Sequence, residues 1–419
     1  MNRQPRPSRH VSARHNPVGQ HLTHDTPAKR RSGRRIAIGL AATLSVAPAF
    51  SIPAFSAPPS VQQSLQTIAR ADGSAALDQD ASAAASRIQS LSSSQVTEVL
   101  DGFENATRRG TNWLRAIAAD VSDNGPFQKD ALLEYFSDRG KHPDARYVAY
   151  QLLVQHDDAL KPTLLANAET DPSLPIRFLK IAAMIDQGAA LMSSQPDQAE
   201  PILRQVIANG RSPKQLQQTA KLLGDLDVNI DLADELGMMR RWWLIGPFDN
   251  TDSEHFDTAY VPEHRYLESG SPIAKDAAGD PKPEAGKQQT VNWQQIQSDD
   301  KLGMVDLNGP LSNEKDAAAY LFATFTVENA DTPLAAQARI GCITANKVWI
   351  NGKLVSSNEV YHSGTRIDQY VDDCELVEGE NTVLIKVLQN AQTQPWAQDW
   401  QFQFRLTRPD GSAIKTTVL

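Results

Sequence analysis

Residues 347–355 carry the most decisive local signal in the chain and read KVWINGKLV. Two apolar segments flank Asn351-Gly352, a dipeptide that tolerates the positive φ angles of a type I′ turn. Such a turn joins two antiparallel strands through only two residues. The segment therefore predicts a β-hairpin, and it places antiparallel sheet in the C-terminal part of the chain.

Strand signals continue on both sides of this hairpin. Apolar residues occupy every second position in three further segments: 319–327, 383–387 and 402–406. Arg241-Trp-Trp-Leu-Ile-Gly-Pro-Phe248 adds an aromatic strand that stops at Gly-Pro. Short strands separated by turn residues are typical of a β-sandwich. We therefore predict an antiparallel β-sandwich over residues 241–419, with a Pro/Gly/Ala-rich loop insertion at about residues 265–290.

The preceding segment follows a helical period instead. After Pro143, apolar residues recur at i, i+3, i+4, i+7 and i+8, which is one face of an α-helix. Proline suits the first turn of a helix because its missing N–H has no helical partner there. Asp171-Pro172 and Ser212-Pro213 mark further helix starts, and Asn209-Gly210 marks a stop. These signals predict an α-helical domain over residues 58–240.

Two of the helix starts share proline, aspartate and arginine. They read Pro143-Asp-Ala-Arg146 and Asp171-Pro-Ser-Leu-Pro-Ile-Arg177. This resembles the HEAT-like α-solenoid pattern, in which Asp-Pro opens a helix and Arg follows in its first turns. The resemblance implies stacked helical repeats, and such an array would present a surface that docks a protein partner. An irregular helical bundle is the alternative.

The N-terminal residues have the composition of a targeting signal. Residues 1–57 hold nine Lys/Arg and one Asp, and an apolar run follows the basic cluster. Pro48 and Pro53 interrupt that run, which suits a cleaved signal better than a membrane-spanning helix. We predict a signal peptide with a long basic n-region and export to the periplasm or the extracellular space. An uncleaved N-terminal anchor is the alternative.

Charge separates this leader from the rest of the chain. The whole chain has a formal net charge of −9 and residues 1–57 contribute +8, which leaves about −17 for the remainder. An acidic surface repels nucleic-acid phosphates and anionic lipid. We therefore expect neither a nucleic acid nor a membrane surface as a partner, apart from the N-terminal anchor alternative.

The sequence offers little metal or redox chemistry. Cys342 and Cys374 permit either one disulfide or two buried free thiols, and their spacing is not that of a zinc site. Calcium stabilises many jelly-roll sandwiches, and Asp299-Asp300 or Asp372-Asp373 could supply carboxylates. Neither pair has a calcium-loop pattern. We expect no cofactor, and calcium is the one ion to consider.

Catalytic motifs are missing as well. The sequence contains no His-Glu-x-x-His, no Gly-x-Ser-x-Gly and no phosphate-binding Gly-x-x-x-x-Gly-Lys-Ser/Thr. The five histidines after the leader are not at metal-ligand spacing, and His255 and His264 fall in a predicted polar loop. We therefore expect no catalytic residues and a protein that is not an enzyme.

The strand segments also carry a family resemblance. Val348-Trp-Ile-Asn-Gly-Lys353, then Leu376 and Gly379-Glu-Asn-Thr-Val-Leu384, occur in an order that resembles the galactose-binding-like jelly roll of β-galactosidase-type glycosidases. The likeness covers about residues 320–406. The glycosidase barrel that carries the catalytic carboxylates has no counterpart in this sequence, so the resemblance implies a binding module.

A second likeness spans more of the chain. Exported proteins of planctomycete-type bacteria join helical repeats to this sandwich through a Trp-x-x-Gly-Pro-Phe strand, and this chain resembles them. The matching stretches are residues 243–250, 256–263, 361–364, 368–370 and 396–400. This likeness implies an architecture and brings no activity with it.

The candidate ligand-binding residues mix aromatic rings with amide and carboxylate groups near the C terminus. They are Tyr361, His362, Asp368, Tyr370, Gln389, Asn390, Gln392, Trp396, Asp399 and Trp400. Sugars bind in this way, with C–H faces on aromatic rings and hydroxyls on planar polar groups. The alternative is that both tryptophans plug the end of the sandwich. Trp242 and Trp243 are predicted to seat the sandwich on the helices.

Three functional hypotheses follow. The first is an exported binding protein whose sandwich holds carbohydrate or cell-envelope glycan and whose helices dock a protein. The second is a purely structural scaffold for protein–protein interaction. The third is a carbohydrate-active enzyme, or an accessory to one, with its site at the cluster around Tyr361 and Trp400.

Overall fold

The computed structural model describes residues 59–327 and 333–419. Helices come first along the chain and strands follow, and the first strand begins at Arg241. The chain is therefore of mixed α and β structure, as predicted, and we refer to residues 59–240 as the helical half and to residues 241–419 as the sheet half. The predicted signal peptide at residues 1–57 lies outside the described residues.

Twelve α-helices occur in the described ranges. They are α1 (Val61–Ala69), α2 (Ala75–Ile88), α3 (Val96–Asp101), α4 (Arg108–Ser122), α5 (Lys129–Ser137), α6 (Pro143–His156), α7 (Lys161–Leu164), α8 (Leu174–Leu191), α9 (Pro196–Asn209), α10 (Pro213–Gly224), α11 (Leu232–Glu235) and α12 (Val261–Ser269). None of them is long and apolar enough to cross a lipid bilayer.

The predicted helix signals were mostly accurate. Helix α6 begins at Pro143, α10 begins at Pro213 and α9 ends at Asn209. The start expected at Asp171-Pro172 is displaced, because Ser173 is the N-cap residue of α8. The predicted polar loop around His264 is wrong in part, since His264 lies within α12.

Helices of the helical half pack both on neighbours in sequence and on helices two or three positions away. Helix α1 lies against α2 and α4, α6 against α4, α5 and α8, and α9 against α8 and α10. Inward faces of α1 to α7 and the first turn of α8 share a core that runs from Leu65 to Ile176, and α8 and α9 share a smaller cluster that includes Ile181 and Val206. Amphipathic helices of this length bury their apolar stripes only by stacking on one another.

Thirteen strands are present in the same described ranges. They are β1 (Arg241–Asp249), β2 (Glu284–Ala285), β3 (Thr290–Val291), β4 (Gln294–Gln297), β5 (Val305–Asp306), β6 (Ala317–Val327), β7 (Leu334–Cys342), β8 (Ala345–Ile350), β9 (Lys353–Asn358), β10 (Tyr370–Leu376), β11 (Glu380–Gln389), β12 (Gln401–Thr407) and β13 (Thr416–Val418).

These strands form two main antiparallel sheets. The seven-stranded sheet has the order β4-β1-β6-β11-β8-β9, with β13 also pairing with β6, and the four-stranded sheet has the order β10-β7-β12-β5. Strands β2 and β3 pair only with each other, within the predicted insertion. Inward side chains of both main sheets, including Leu321 and Phe404, share one apolar core. Close face-to-face packing of this kind provides the buried area that stabilises a sheet pair.

The hairpin predicted from KVWINGKLV is confirmed. Ile350 pairs with Lys353, so only Asn351 and Gly352 form the turn between β8 and β9. Their φ angles are 50° and 79°. Both central residues therefore lie in the left-handed region that a type I′ turn requires.

The seven-stranded sheet is buried on its outer face too. Phe256, Tyr266, Val291 and Trp293 lie in one apolar cluster with outward side chains of this sheet, such as Tyr320. Helix α12 and its flanking segment therefore form a third layer. This cover explains why nearly every residue in the first part of β6 is buried, although one-sided alternation was expected.

Two local expectations need correction. Trp242 does not seat the sheets on the helices, because its indole lies in the core between the sheets, 5.5 Å from the ring of Phe402. The disulfide alternative is also not met, since Cys342 and Cys374 are both free thiols. Cys374 is opposite Ala336, six residues from Cys342 along β7, which separates them by about 20 Å.

Candidate functional site

A cluster of polar and aromatic side chains lies at the rim of the seven-stranded sheet, where β1 and β11 end. Asn250 follows β1, is fully buried, and connects two other segments. Its Nδ2 donates to the hydroxyl of Tyr361 at 3.1 Å and to the backbone carbonyl of Gln389 at 3.0 Å. Asn250 therefore fixes the loop after β9 against the end of β11. The sequence analysis missed this residue, although it closes the matched stretch 243–250.

His362 joins the same loop to the segment after β11. Its Nε2 lies 2.7 Å from Oδ1 of Asn390, and that oxygen also accepts the backbone N–H of Gln392 at 3.2 Å. Because a backbone N–H can only donate, the shared atom is an acceptor and His362 Nε2 donates to it. Among the described residues, the side-chain amide nitrogen of Asn390 donates no hydrogen bond.

Trp396 is the exposed aromatic residue of the cluster. It lies in a short 3-10 turn, Pro395–Ala397, and 61% of its surface is exposed. The ring of His362 stands perpendicular to the indole, at 5.5 Å between centroids. A perpendicular contact of this kind favours this orientation of the indole. We call Trp396, His362, Asn390, Gln392 and Tyr361 the rim cluster.

His362 also has an unusual backbone conformation, with φ of 58°. Residues other than glycine rarely adopt this left-handed region, and they often do so at binding or catalytic sites. The neighbouring contacts hold it there: the backbone N–H of Ser363 donates to the carbonyl of Ile343 at 3.1 Å. This bond fixes the turn that carries His362 beside the start of β8.

The loop that carries His362 lies directly on β7 at Gly341. A Cβ atom at Gly341 would overlap the backbone carbonyl oxygen of Arg366. Glycine is therefore required here by close approach of two backbones.

Gly341→Ala is expected to lower the free energy of unfolding by about 1–3 kcal/mol, because the loop must move away from the strand. Urea denaturation followed by circular dichroism measures this loss. Gly224→Ala is the matched control, since nothing lies within 4 Å of its added Cβ, and it is expected to be neutral or mildly stabilising. Equal stability of both variants would contradict the close approach at Gly341.

Charged groups of both signs lie beside the rim cluster, and Lys315 Nζ donates to the carbonyl of Ala397 at 3.4 Å. Oδ2 of Asp249 lies 3.2 Å from Nε2 of His255, which was expected in a solvated polar loop. Hydrogen bonds from Thr251 hold the pKa of Asp249 below its ordinary value. Burial raises the pKa of Asp316, and burial likewise raises that of the Tyr361 hydroxyl. A neutral, hydroxyl-rich ligand suits such a surface better than an anion does.

Several predicted site residues lie elsewhere or are buried. Trp400 is fully buried in the core between the sheets, and Gln389 is fully buried beneath the rim. Tyr370 lies in β10 and packs against the same core, whereas Asp399 is exposed next to Trp400. The predicted plugging role therefore holds for Trp400 and is wrong for Trp396.

Two arginines donate hydrogen bonds to the carboxylate of Asp368. Arg405 donates to it at 2.8 and 2.5 Å, and Arg339 donates at 2.8 Å. Burial opposes ionisation of Asp368, but the two guanidinium groups outweigh burial and hold its pKa below the ordinary value. Arg405 also donates to the carbonyl of Leu236 at 3.1 Å. Asp368 thus helps to attach the sheet half to the helical half, and it is not open to a ligand.

Acidic, histidine and cysteine side chains do not gather into a metal site in the described part of the chain. No group of three or more His, Cys, Asp or Glu side chains in residues 59–327 and 333–419 could hold a metal ion. Of the two aspartate pairs considered for calcium, Asp300 accepts the backbone N–H groups of Leu302 and Met304, at 2.8 and 3.0 Å. Asp373 accepts the side-chain amide of Gln337 at 3.2 Å.

Larger clefts lie away from the rim cluster. One of about 640 Å³ is lined by Asp231, Arg240 and Asp299, where the helical half meets the sheet half. Another, of about 510 Å³, lies between α1 and α3 in the helical half. Neither combines an exposed aromatic face with free amides, so we place the candidate site at the rim.

Comparisons with known proteins give little further guidance. Neither a protein-family model nor a curated protein matches the chain. Among solved structures, a part of the GH31 alpha-xylosidase from Xanthomonas citri is similar, with 12% sequence identity and a TM-score of 0.17. The match covers 35% of this chain and 17% of that enzyme. A likeness this weak carries no argument about function.

Proposed function

We propose that this chain is a non-catalytic binding protein that acts outside the cytoplasm. In this proposal the sheet half is a galactose-binding-like jelly roll that holds carbohydrate or cell-envelope glycan on the rim cluster. The helical half is a solenoid-like array that docks a protein partner. The exposed indole of Trp396 is the single observation that carries the proposal.

The exposure of Trp396 sets it apart from the other tryptophans of the sheet half. An indole left in water forgoes roughly 2–3 kcal/mol of burial free energy. The other tryptophans of the sheet half are buried or half-buried, including Trp400 only four residues away. A solvent-exposed indole offers the aromatic surface on which a sugar C–H face can stack.

Polar groups around this ring supply the second element of sugar recognition. The side-chain amide of Gln392 is exposed and Asn390 keeps its NH₂ hydrogens free, so both can bond hydroxyls. The nearby carboxylates of Asp249 and Asp316 would accept hydroxyl hydrogens and repel anions. These groups favour a neutral pyranoside over a sulfated or phosphorylated glycan.

A glycan array probed with the full chain tests the proposal, followed by calorimetry on the best ligand. Trp396→Ala is expected to weaken binding at least about tenfold, because the stacking surface is lost. Leu354→Ala is the matched control, since Leu354 is 47% exposed on β9 and is outside the rim cluster; it should leave the affinity unchanged.

The other outcomes separate the alternatives. Retained binding by Trp396→Ala would move the site elsewhere. If the wild-type chain binds no glycan, the binding proposal fails and the hypothesis of a structural scaffold for protein–protein interaction remains. Mass spectrometry that finds bound glycan converted to product would replace the binding module with an enzyme.

A further inference from the structure

A small cleft at the boundary between the two halves combines an apolar wall with two arginines that share one distant carboxylate, Asp410. Its volume is about 160 Å³, and Leu174, Phe178 and Ile181 of α8 form the wall. Arg177 and Arg211 line the same cleft. This concentration of arginine is unexpected because the body of the chain is acidic.

Arg177 is a buried cation with little compensation. Only 7% of the residue is exposed, and its Nε donates to the carbonyl of Asp171 at 2.9 Å. Its Nη1 lies 3.9 Å from Oδ2 of Asp410, which is too far for a hydrogen bond. Burial and the positive charge of Arg211 both lower the pKa of Arg177. A further anion at this place would stabilise the guanidinium.

Arg211 points to the same spot. Its Nε is also 3.9 Å from Oδ2 of Asp410, and this buried nitrogen has no hydrogen-bond partner within the described ranges. Two guanidinium groups thus converge on one carboxylate oxygen without bonding to it. Asp410 itself bonds through its other oxygen to Ser412 in its own turn, so its side chain is held back from the arginines.

The first turn of α10 adds to this positive field. The helix begins at Pro213, its N-cap residue Ser212 forms no side-chain cap, and its first turn has no acidic residue. Backbone N–H groups at such a start are without helical partners and favour an anion. Ser212 and Gln215 of this turn line the cleft.

We infer that this cleft binds a carboxylate carried by an apolar group, such as an aromatic acid or the C-terminal residue of a peptide. The carboxylate lies between Arg177 and Arg211, and the apolar group packs on Phe178, which is 47% exposed. The two guanidiniums match a planar carboxylate, and the apolar wall disfavours a fully hydrated phosphate. The volume suits one side chain and not a drug-sized ligand.

Calorimetry with the full chain tests this inference using N-acetyl-phenylalanine, its amide and 3-phenylpropionate. The acid is expected to bind at least about tenfold more tightly than the neutral amide, because only the acid meets the guanidiniums. If 3-phenylpropionate binds as well as N-acetyl-phenylalanine, a free aromatic acid suffices. If only the acetylated residue binds, the ligand is a peptide C terminus. Equal binding of acid and amide, or binding of neither acid, would overturn the inference.

Three variants sharpen the test. Arg211→Gln should weaken binding of the acid about tenfold, and Asp410→Asn should strengthen it, since a competing carboxylate is removed while its turn is kept. Arg204→Gln is the matched control, because Arg204 is exposed and pairs with Glu200 on α9. A merely structural role for Asp410 predicts lower stability of Asp410→Asn with unchanged affinity, and that result would also count against the cleft.

Discussion

Asp171→Ala is expected to lower the free energy of unfolding by about 3–5 kcal/mol, because it leaves a buried arginine without its counter-ion. Arg146 and Asp171 bond through both oxygens, at 2.6 and 2.9 Å, and both side chains are 2% exposed. Arg146 also donates to the carbonyl of Phe136, so it cannot swing out to solvent without breaking α5–α6 packing. Asp171 in addition accepts the backbone N–H of Ser173, where α8 begins.

Chemical denaturation of the full chain measures this loss, with Glu200→Ala as the matched control. Glu200 pairs with Arg204 at the surface, at 2.7 Å, and its removal should cost less than about 1 kcal/mol. The double variant Arg146→Met with Asp171→Leu should recover part of the stability, since neither member of this ion pair then remains buried without its partner. A loss below about 1.5 kcal/mol for Asp171→Ala would show that water reaches Arg146 in solution.

The parts of the fold that the sequence predicted are those decided by neighbouring residues. Asn351-Gly352 specifies its turn by backbone preference alone, and Pro143 and Pro213 mark helix starts because proline tolerates a first turn. The change from helical to strand period at Arg241 is likewise local. Each of these signals depends on a few adjacent residues, and each was found where it was expected.

What the sequence could not predict depends on distant residues. Trp396 and Trp400 look alike in sequence, yet one is exposed and the other is fully buried. Asp368 resembles a ligand-binding carboxylate until Arg339 and Arg405 are seen beside it, 29 and 37 residues away. The arginine cleft is likewise formed by segments that are distant in sequence, because α8, α10 and the turn at Asp410 meet only in the folded chain.

Lys386→Met is expected to destabilise the sheet half by about 3–5 kcal/mol at pH 7, because a buried charge network loses its donor. Lys386 is fully buried, and its Nζ donates to the carbonyls of His255, Phe256 and Thr258 at 2.7–3.1 Å. Glu263 lies 3.9 Å away and accepts the hydroxyl of Tyr320 at 2.7 Å. Methionine fills the volume but satisfies none of these acceptors.

The same lysine predicts how stability changes with pH. Burial lowers the pKa of Lys386 to about 8, from 10.5 in the unfolded chain. Between these two pH values the unfolded chain binds the proton and the native chain has released it. Stability contributed by this group therefore rises with pH in that window, by up to about 1.4 kcal/mol per pH unit, and is constant below it.

Urea denaturation at several pH values between 7 and 9.5 tests this prediction. The quantity compared is how steeply the free energy of unfolding changes with pH in wild type and in Lys386→Met. The free-energy gap between them should widen above about pH 8. Lys353→Met, an exposed lysine on β9, is the control and should change stability at pH 7 by less than about 0.5 kcal/mol. A gap that stays constant across the range would mean that the buried lysine keeps its proton.

The effect of Lys386→Met should also extend to the rim cluster. The segment that Lys386 holds begins at His255, whose backbone N–H donates to Oδ1 of Asn250 at 3.3 Å. Asn250 in turn positions Tyr361 and the end of β11. Lys386→Met is therefore expected to weaken binding of any glycan found on the rim, whereas Lys353→Met leaves it unchanged. Unaltered glycan affinity in a folded Lys386→Met variant would show that the rim cluster is positioned independently of this lysine.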